Sequence, residues 1–359
     1  MKKDAYIGKK GFGQVYTYLL IFVLLITACS KTEGAKDVSG ETASLSVTLK
    51  GQSIESKAVA PTGEPELQAL KEAENALKNV VVFVFNANGI LDKKHNFSPS
   101  AVTETITGLL AGPKKVVVLA NVPSNIVFPD AINYSWFADM KNVIDLDTQS
   151  NTDNGLFMSG EADVTLTANT VATATIPIGR IVAKVKLGTI TIDPEAGHDR
   201  SKFILKNVMI MKARASVQMG VPSITYTPDL FYGGMTGDKS VVKSYLSETI
   251  SADDYANRYF YVFPSDNDDE NTTLVTLVGT YDGQTTYFPF RINDKANSEG
   301  GATTDGTFIE RNSVYVVNVT LKRLGSGSNN PEIPADPASL TVTVEPQEWE
   351  TDIIQNVEW

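Results

Sequence analysis

The sequence holds one cysteine and two histidines in 359 residues. A lone cysteine excludes an internal disulfide, so packing must stabilise the fold. His95 and His198 stand far apart, with no His-x-x-x-His spacing and no cysteine pair, which leaves zinc no ligand set. Both read as surface or loop histidines. A phosphate-binding glycine loop and a Gly-x-Ser-x-Gly turn are also missing. No flanking motif among the 42 Asp and Glu residues selects two of them as a glycosidase pair. The chain therefore reads as a non-enzyme without cofactor or metal. It lacks a basic stripe as well. The formal charge is −11, and residues 1–28 hold four lysines against Asp4, a net +3, so the remainder carries −14. That balance argues against nucleic acid or an anionic membrane surface as the main partner.

What is present points outward from the cell. The 13 Tyr and 15 Phe suit an extracellular β-protein, and the length suggests two domains. Lys2, Lys3, Lys9 and Lys10 precede an apolar run from Val15 to Ile26 that is too short to span a membrane as a stable helix, so residues 1–28 read as an export signal. The run ends Ile26-Thr27-Ala28-Cys29, which resembles the lipobox of bacterial lipoproteins and makes Cys29 the lipidated residue, with palmitate among its acyl chains. At about 0.8 kcal/mol per buried CH₂, several such chains would anchor the protein stably to a membrane. A polar tether from Ser30 to Glu41 follows. Then Ala43 to Lys50 alternates, with Leu45, Val47 and Leu49 on one face and Ser44, Ser46 and Thr48 on the other, as in a half-buried strand.

Further along, Pro65 to Asn79 has Leu67, Leu70, Ala73 and Leu77 at helical spacing with Pro65 in the first turn. A second helix is expected over Asp130 to Val143, with Trp136, Met140 and Val143 on one face. Strands are expected over Val80–Phe85, Val102–Ile106, Lys114–Ala120, Val164–Ile176, Ile181–Ile192, Phe203–Met211, Tyr259–Phe263, Thr273–Tyr281, Thr285–Ile292 and Val314–Leu321. Many short strands with few helices indicate an all-β chain of two tandem β-sandwiches. SDNDDEN over 265–271 offers carboxylates to calcium but lacks the glycine and distal glutamate of a calcium loop, so it reads as a solvated acidic loop. Tyr226, Phe231 and Tyr232 are the aromatics to weigh as a carbohydrate-binding surface, and they fit a core equally.

At the C-terminus Leu340, Val342 and Val344 alternate, Pro346 interrupts, and Ile353, Val357 and Trp359 resume on one face. A strand that runs to the last residue either completes its own sheet or fills an edge on another molecule. The two are compatible in an unassembled subunit. Gly325 to Asn330 with Pro331, Pro334 and Pro337 form a linker that lets this end detach. Seven residues from Ile353 to Trp359 span about 23 Å as a strand, enough for one edge.

SLSVTLKG over 44–51, followed by Lys57-Ala58, and IERNSVYVVNVTLKRLGSGSNNPEIP over 309–334, followed by LTVTV, Glu348-Trp349 and a terminal tryptophan, resemble the FimA-like fimbrillin family of the Bacteroidales over nearly the whole chain. The resemblance implies two tandem transthyretin-like Greek-key β-sandwiches. It implies a signal peptide over 1–28, a lipidated propeptide over 29–57 whose strand 43–50 is removable, domains over 58–178 and 179–338, and a donor segment over 339–359. It implies a shaft subunit of a surface fimbria, exported by the lipoprotein machinery to the outer membrane, cut by a trypsin-like protease, and polymerised head-to-tail with identical or related subunits. Adhesion to host or bacterial receptors and biofilm formation would follow. The family has arginine before the alanine where this chain has Lys57 before Ala58, so a lysine-accepting protease is expected, with Lys50 the rival position. A tip or accessory adhesin, or a surface carbohydrate-binding lipoprotein, is the alternative.

Overall fold

The computed structural model describes residues 40–51, 65–98, 101–139, 142–149, 151–221, 230–232, 240–243, 246–255, 258–265, 272–292, 309–322, 324–325, 341–344, 347–348 and 353–358. Along the chain come β1 (Thr42–Gly51), helix α1 (Pro65–Asn75), β2 (Val80–Asn86), β3 (Leu91–Asn96), β4 (Thr103–Leu110), β5 (Gly112–Ala120), β6 (Val143–Asp145), β7 (Met158–Leu166), β8 (Val171–Arg180) and β9 (Ala183–Ile192). Then follow β10 (Phe203–Met211), β11 (Ala213–Arg214), β12 (Ser216–Gln218), β13 (Leu230–Tyr232), β14 (Ser240–Lys243), β15 (Leu246–Thr249) and β16 (Tyr259–Val262). The last are β17 (Leu274–Tyr281), β18 (Gln284–Arg291), β19 (Ser313–Leu321), β20 (Thr341–Val344), β21 (Gln347–Glu348) and β22 (Ile353–Glu358).

The N-terminal strands run in the order β3-β2-β5-β7-β8-β1-β4. They fold into two layers through a corner, because β7 and β8 pair only at Met158↔Arg180 and Ser159↔Gly179. Gly160 permits the crossing: a Cβ there would sit 2.0 Å from the Pro177 carbonyl oxygen. Inward-facing Leu45, Val47, Ile106, Leu109 and Ile176 of the β4-β1-β8 layer pack against Val82, Val84, Val116 and Val118 of β2 and β5 in one buried core. Strand alternation places these residues, and their burial makes the all-β sandwich.

The other face of β2 and β5 is apolar too. Phe83, Phe85, Val117 and Leu119 join a second core that continues into Val185 and Leu187 of β9, Leu205 and Val208 of β10, Phe288 and Phe290 of β18, and Tyr315 and Val317 of β19. Here β16-β9-β19-β22-β20 form one sheet, with β21 on β19, and β15-β10-β17-β18 form another.

Three expectations change. Asp130 to Val143 is not one helix: a 3₁₀ turn over Tyr134–Ala138 is capped by the Asn133 side chain, and β6 follows it. The cause is tertiary, because Phe137 wedges edge-on between Phe83 and Phe85, at ring distances of 5.6 and 6.0 Å, and β6 pairs with β12. The stretch Val164 to Ile176 is two antiparallel strands, broken at Thr167–Thr170 where Asn169 takes a φ of +59°. Helix α1 stops at Asn75 rather than Asn79.

Helix α1 is tied to the β8–β9 junction by buried polar groups. Glu74 Oε1 accepts from Lys184 Nζ and from the Tyr261 hydroxyl, both at 2.7 Å. Arg180 Nε donates to the Glu74 carbonyl at 3.1 Å and its NH2 to Asn75 Oδ1, while NH1 donates to Asn312 Oδ1 at 3.1 Å. Arg311 donates to the carbonyls of Arg180 at 3.1 Å, Gly220 at 3.3 Å and Ser159 at 3.2 Å. Burial pulls both guanidinium groups down to about 10, and the nearby Glu74 opposes that shift at Arg180, so both are charged at neutral pH. Burial first and the adjacent Glu74 second push the Tyr261 hydroxyl up, so it stays a donor. Glu74→Ala removes the carboxylate from this cluster and is expected to cost about 3 kcal/mol in urea unfolding. A loss below about 1 kcal/mol would show that α1 is held by its apolar face alone.

Candidate functional site

Of the elements that the sequence singles out, β1 is the middle strand of the three-stranded β4-β1-β8 layer. Its pattern is regular, with Ala43, Leu45, Val47 and Leu49 buried and Ser44, Ser46 and Thr48 half-buried on the other face. Thr103 Oγ1 donates to Thr48 Oγ1 at 3.1 Å across that outer face. One ladder is parallel, from Ser44↔Val171 to Gly51↔Ile178 on β8. The other is antiparallel, from Thr42↔Leu110 to Thr48↔Thr103 on β4. Burial of Leu45, Val47 and Leu49 contributes roughly 1.5–3 kcal/mol each. The ten residues of β1 span about 33 Å. That slot is longer than the 23 Å expected of Ile353 to Trp359, so the last seven residues alone do not fill it.

The two outer strands of this body, β3 and β4, meet side by side. His95 Nε2 lies 2.6 Å from Glu104 Oε2, and Glu104 Oε1 accepts from Ser98 N at 2.6 Å. The Ser98 hydrogen bonds, followed by the one to His95, hold the Glu104 carboxyl down at about 2. A bulge puts Thr107 and Gly108 out of register with β1, with Gly108 at φ +70°. The Thr107 carbonyl then accepts from Lys93 Nζ at 2.6 Å. Asp92 Oδ2 accepts from Leu110 N at 3.2 Å and from the buried Lys114 Nζ at 2.5 Å.

At the other end of the chain, β22 lies between β19, which it joins in parallel from Tyr315↔Ile353 to Thr320↔Glu358, and β20, which it joins antiparallel. Val342, Val344, Ile353 and Val357 therefore belong to strands of this chain's own sheet. Cys29, Lys57, Ala58, Leu340 and Trp359 lie outside the described residues, as do Tyr226 and 266–271. Phe231 and Tyr232 are buried, so neither offers a carbohydrate-binding surface. His95 is on a strand rather than in a loop, and no group of three metal-ligating side chains occurs among the described residues. Sequence reasoning located β1 but not the two strands, β4 and β8, that flank it. Ala174 and Ile176, at two-residue spacing, carried a signal for one slot wall, whereas the bulge between Ile106 and Leu109 hid the other and Asp92, Lys93 and Glu104 look like any solvated charges.

Residues 43–192 match the family model described as "Major fimbrial subunit protein (FimA)". No curated protein matches the chain by sequence. Among solved structures, a candidate cell adhesion protein from Bacteroides eggerthii is 23% identical, with 89% of this chain and 98% of that one covered at a TM-score of 0.62. A fimbrilin (fimA) from Porphyromonas gingivalis is 16% identical over 89% and 98%, at 0.61. A candidate cell adhesion protein from Parabacteroides distasonis is 20% identical over 89% and 99%, at 0.59. These structures share the fold, and the sequence match over 43–192 independently bears out the fimbrillin resemblance there.

If β1 is held by its inward face, Leu45→Ala should lower stability by about 2–5 kcal/mol and Ser46→Ala by less than about 0.5 kcal/mol. Denaturant midpoints of the two variants measure the contrast, and equal effects would refute the inward assignment.

Proposed function

We propose that this chain, with its fimbrial-subunit match over 43–192, is a structural shaft subunit of a cell-surface fimbria. In this reading it is exported as an outer-membrane lipoprotein through Cys29 and polymerises when proteolysis frees β1. One observation carries the reading: β1 is a central strand, yet its covalent link to the fold that follows is the segment 52–64 alone. A single cut there turns a buried strand into a peptide held, among the described residues, by non-covalent contacts alone: two ladders, four apolar side chains and the Thr103–Thr48 hydrogen bond. Its departure leaves two rows of backbone donors and acceptors beside an apolar groove, a template for strand addition. Helix α1, fixed through Glu74, keeps the new N-terminus on the body.

Lys57 fits the cut better than Lys50. Lys50 pairs with Pro177 inside the β8 ladder, so a protease would have to extract it first. Lys57 lies between the two anchored elements β1 and α1.

The C-terminal segment supplies a matching donor. LTVTV over 340–344 repeats the pattern of LSVTL over 45–49, with apolar residues at the same two-residue spacing. Strand β20 pairs with β22 at the end of its sheet, which makes it the more accessible of the two. Extended together, residues 341–358 reach about 60 Å, enough for the 33 Å slot and a crossing between subunits. Because the contact runs from the end of one subunit into the slot of the next, it never closes, and the product is a filament. Surface adhesion and biofilm support follow from such a filament.

The test uses precursor lacking residues 1–29, cut with a lysine-specific protease and run unheated on an SDS gel. The expected outcome is a ladder whose rungs begin at Ala58. Lys57→Gln should abolish it, and Val342→Asp should reduce it at least tenfold without preventing the cut. A clean cut that leaves monomer alone would sink the shaft reading.

A further inference from the structure

Within the strand-exchange reading, removal of β1 poses a problem for β4. Among the described residues β4 has a ladder with β1 and with no other strand. Strand β8, by contrast, remains joined to β7 at the corner and continues into β9. Once β1 has gone, β4 would be free to collapse into the groove or swing away, and either movement destroys the slot.

We propose that the side chains of β3, together with the Ser98 amide just beyond it, form a clasp that holds β4 in place after β1 leaves, so that the slot stays open to the incoming strand. The clasp grips β4 at three points, each three residues apart: Glu104 through His95 and Ser98 N, the Thr107 carbonyl through Lys93, and the Leu110 amide through Asp92. None of these bonds involves β1, so none is lost when it departs. The bulge at Thr107 and Gly108 takes this carbonyl out of the β1 register and leaves it available to Lys93. Asp92 is itself fixed by Lys114, with both side chains less than a tenth exposed. Inward-facing Ile106 and Leu109 stay against β2 and β5 only while β4 keeps this position. Asp92, Lys93, His95 and Glu104 are thus positioning residues for the acceptor.

The experiment compares wild-type precursor, Lys93→Met, and the double variant Lys93→Met with Glu104→Ala. Lys202→Met, which removes the exposed pair with Asp282, serves as the control. Uncut precursors should melt close to the wild type, because β4 still has its ladder. After the cut, ladder formation should slow about threefold for Lys93→Met and at least tenfold for the double variant, with the control unchanged. A synthetic peptide of residues 42–51 should compete with the ladder in wild type and bind the cut double variant at least tenfold more weakly. Equal ladder rates and equal peptide binding after the cut would overturn the clasp while leaving strand exchange intact. Failure of the wild type to form any ladder would overturn strand exchange, and the clasp with it.

Discussion

A backbone strand buried between two neighbours must be hydrogen-bonded on both sides, and the β4-β1-β8 layer meets that requirement with the first of the described strands. Within this chain no other described strand pairs with both β4 and β8: β8 meets β1 in an unbroken parallel ladder, and β4 meets it in an antiparallel ladder interrupted by one bulge. The inward residues Ala43, Leu45, Val47 and Leu49 also close one face of the core that β2 and β5 close from the other side. The whole N-terminal body depends on a segment that the rest of the chain holds by a single covalent connection.

That dependence explains the polar cluster at α1. Burying Glu74, Lys184, Arg180 and Arg311 is costly, and an apolar core of the same volume is often as stable. Directionality is what such a cluster adds. Arg180 reads the helix end through the Glu74 carbonyl and Asn75, and Arg311 reads the strand corner through the carbonyls of Ser159 and Gly179. A greasy helix could slide or detach after a nearby cut, whereas this one has a fixed register against β8, β9 and β16.

Much of the strand inventory was legible because alternation and short apolar runs survive folding: Val80–Phe85, Phe203–Met211 and Val314–Leu321 appear nearly where the residues placed them. The Asp130–Val143 pattern misled because Phe137 answers to Phe83 and Phe85, residues distant in sequence, and this aromatic packing overrides a weak helical period. Glu74 gave no sign of burial, since a glutamate on an amphipathic helix normally marks the solvated face. The β3–β4 clasp was equally silent. Its members are ordinary charges, and only closure of the body brings Lys93 to Thr107 and His95 to Glu104. Local pattern is written in the sequence, whereas partners set by topology are not.

Exchange of one strand for another is nearly balanced on backbone bonds, since the slot's ladder is remade by whichever strand enters. The direction must come from what differs between the two occupants. Strand β1 fills the slot at full length with four inward apolar residues, so a four- or six-residue strand such as β20 or β22 could not displace it from an intact chain. A cut changes the comparison. While β1 is tethered through 52–64 its effective concentration at the slot is high, and severing that link makes it an independent solute that dilutes away on leaving. In the proposed exchange the C-terminal segment of a neighbour, still attached to a folded subunit, would then compete with a strand that has lost this advantage. The parallel β1–β8 pairing, slightly weaker per residue than an antiparallel one, loosens the hold on β1 equally before and after a cut, so in the proposed exchange the tether through 52–64 is what keeps β1 in the uncut precursor.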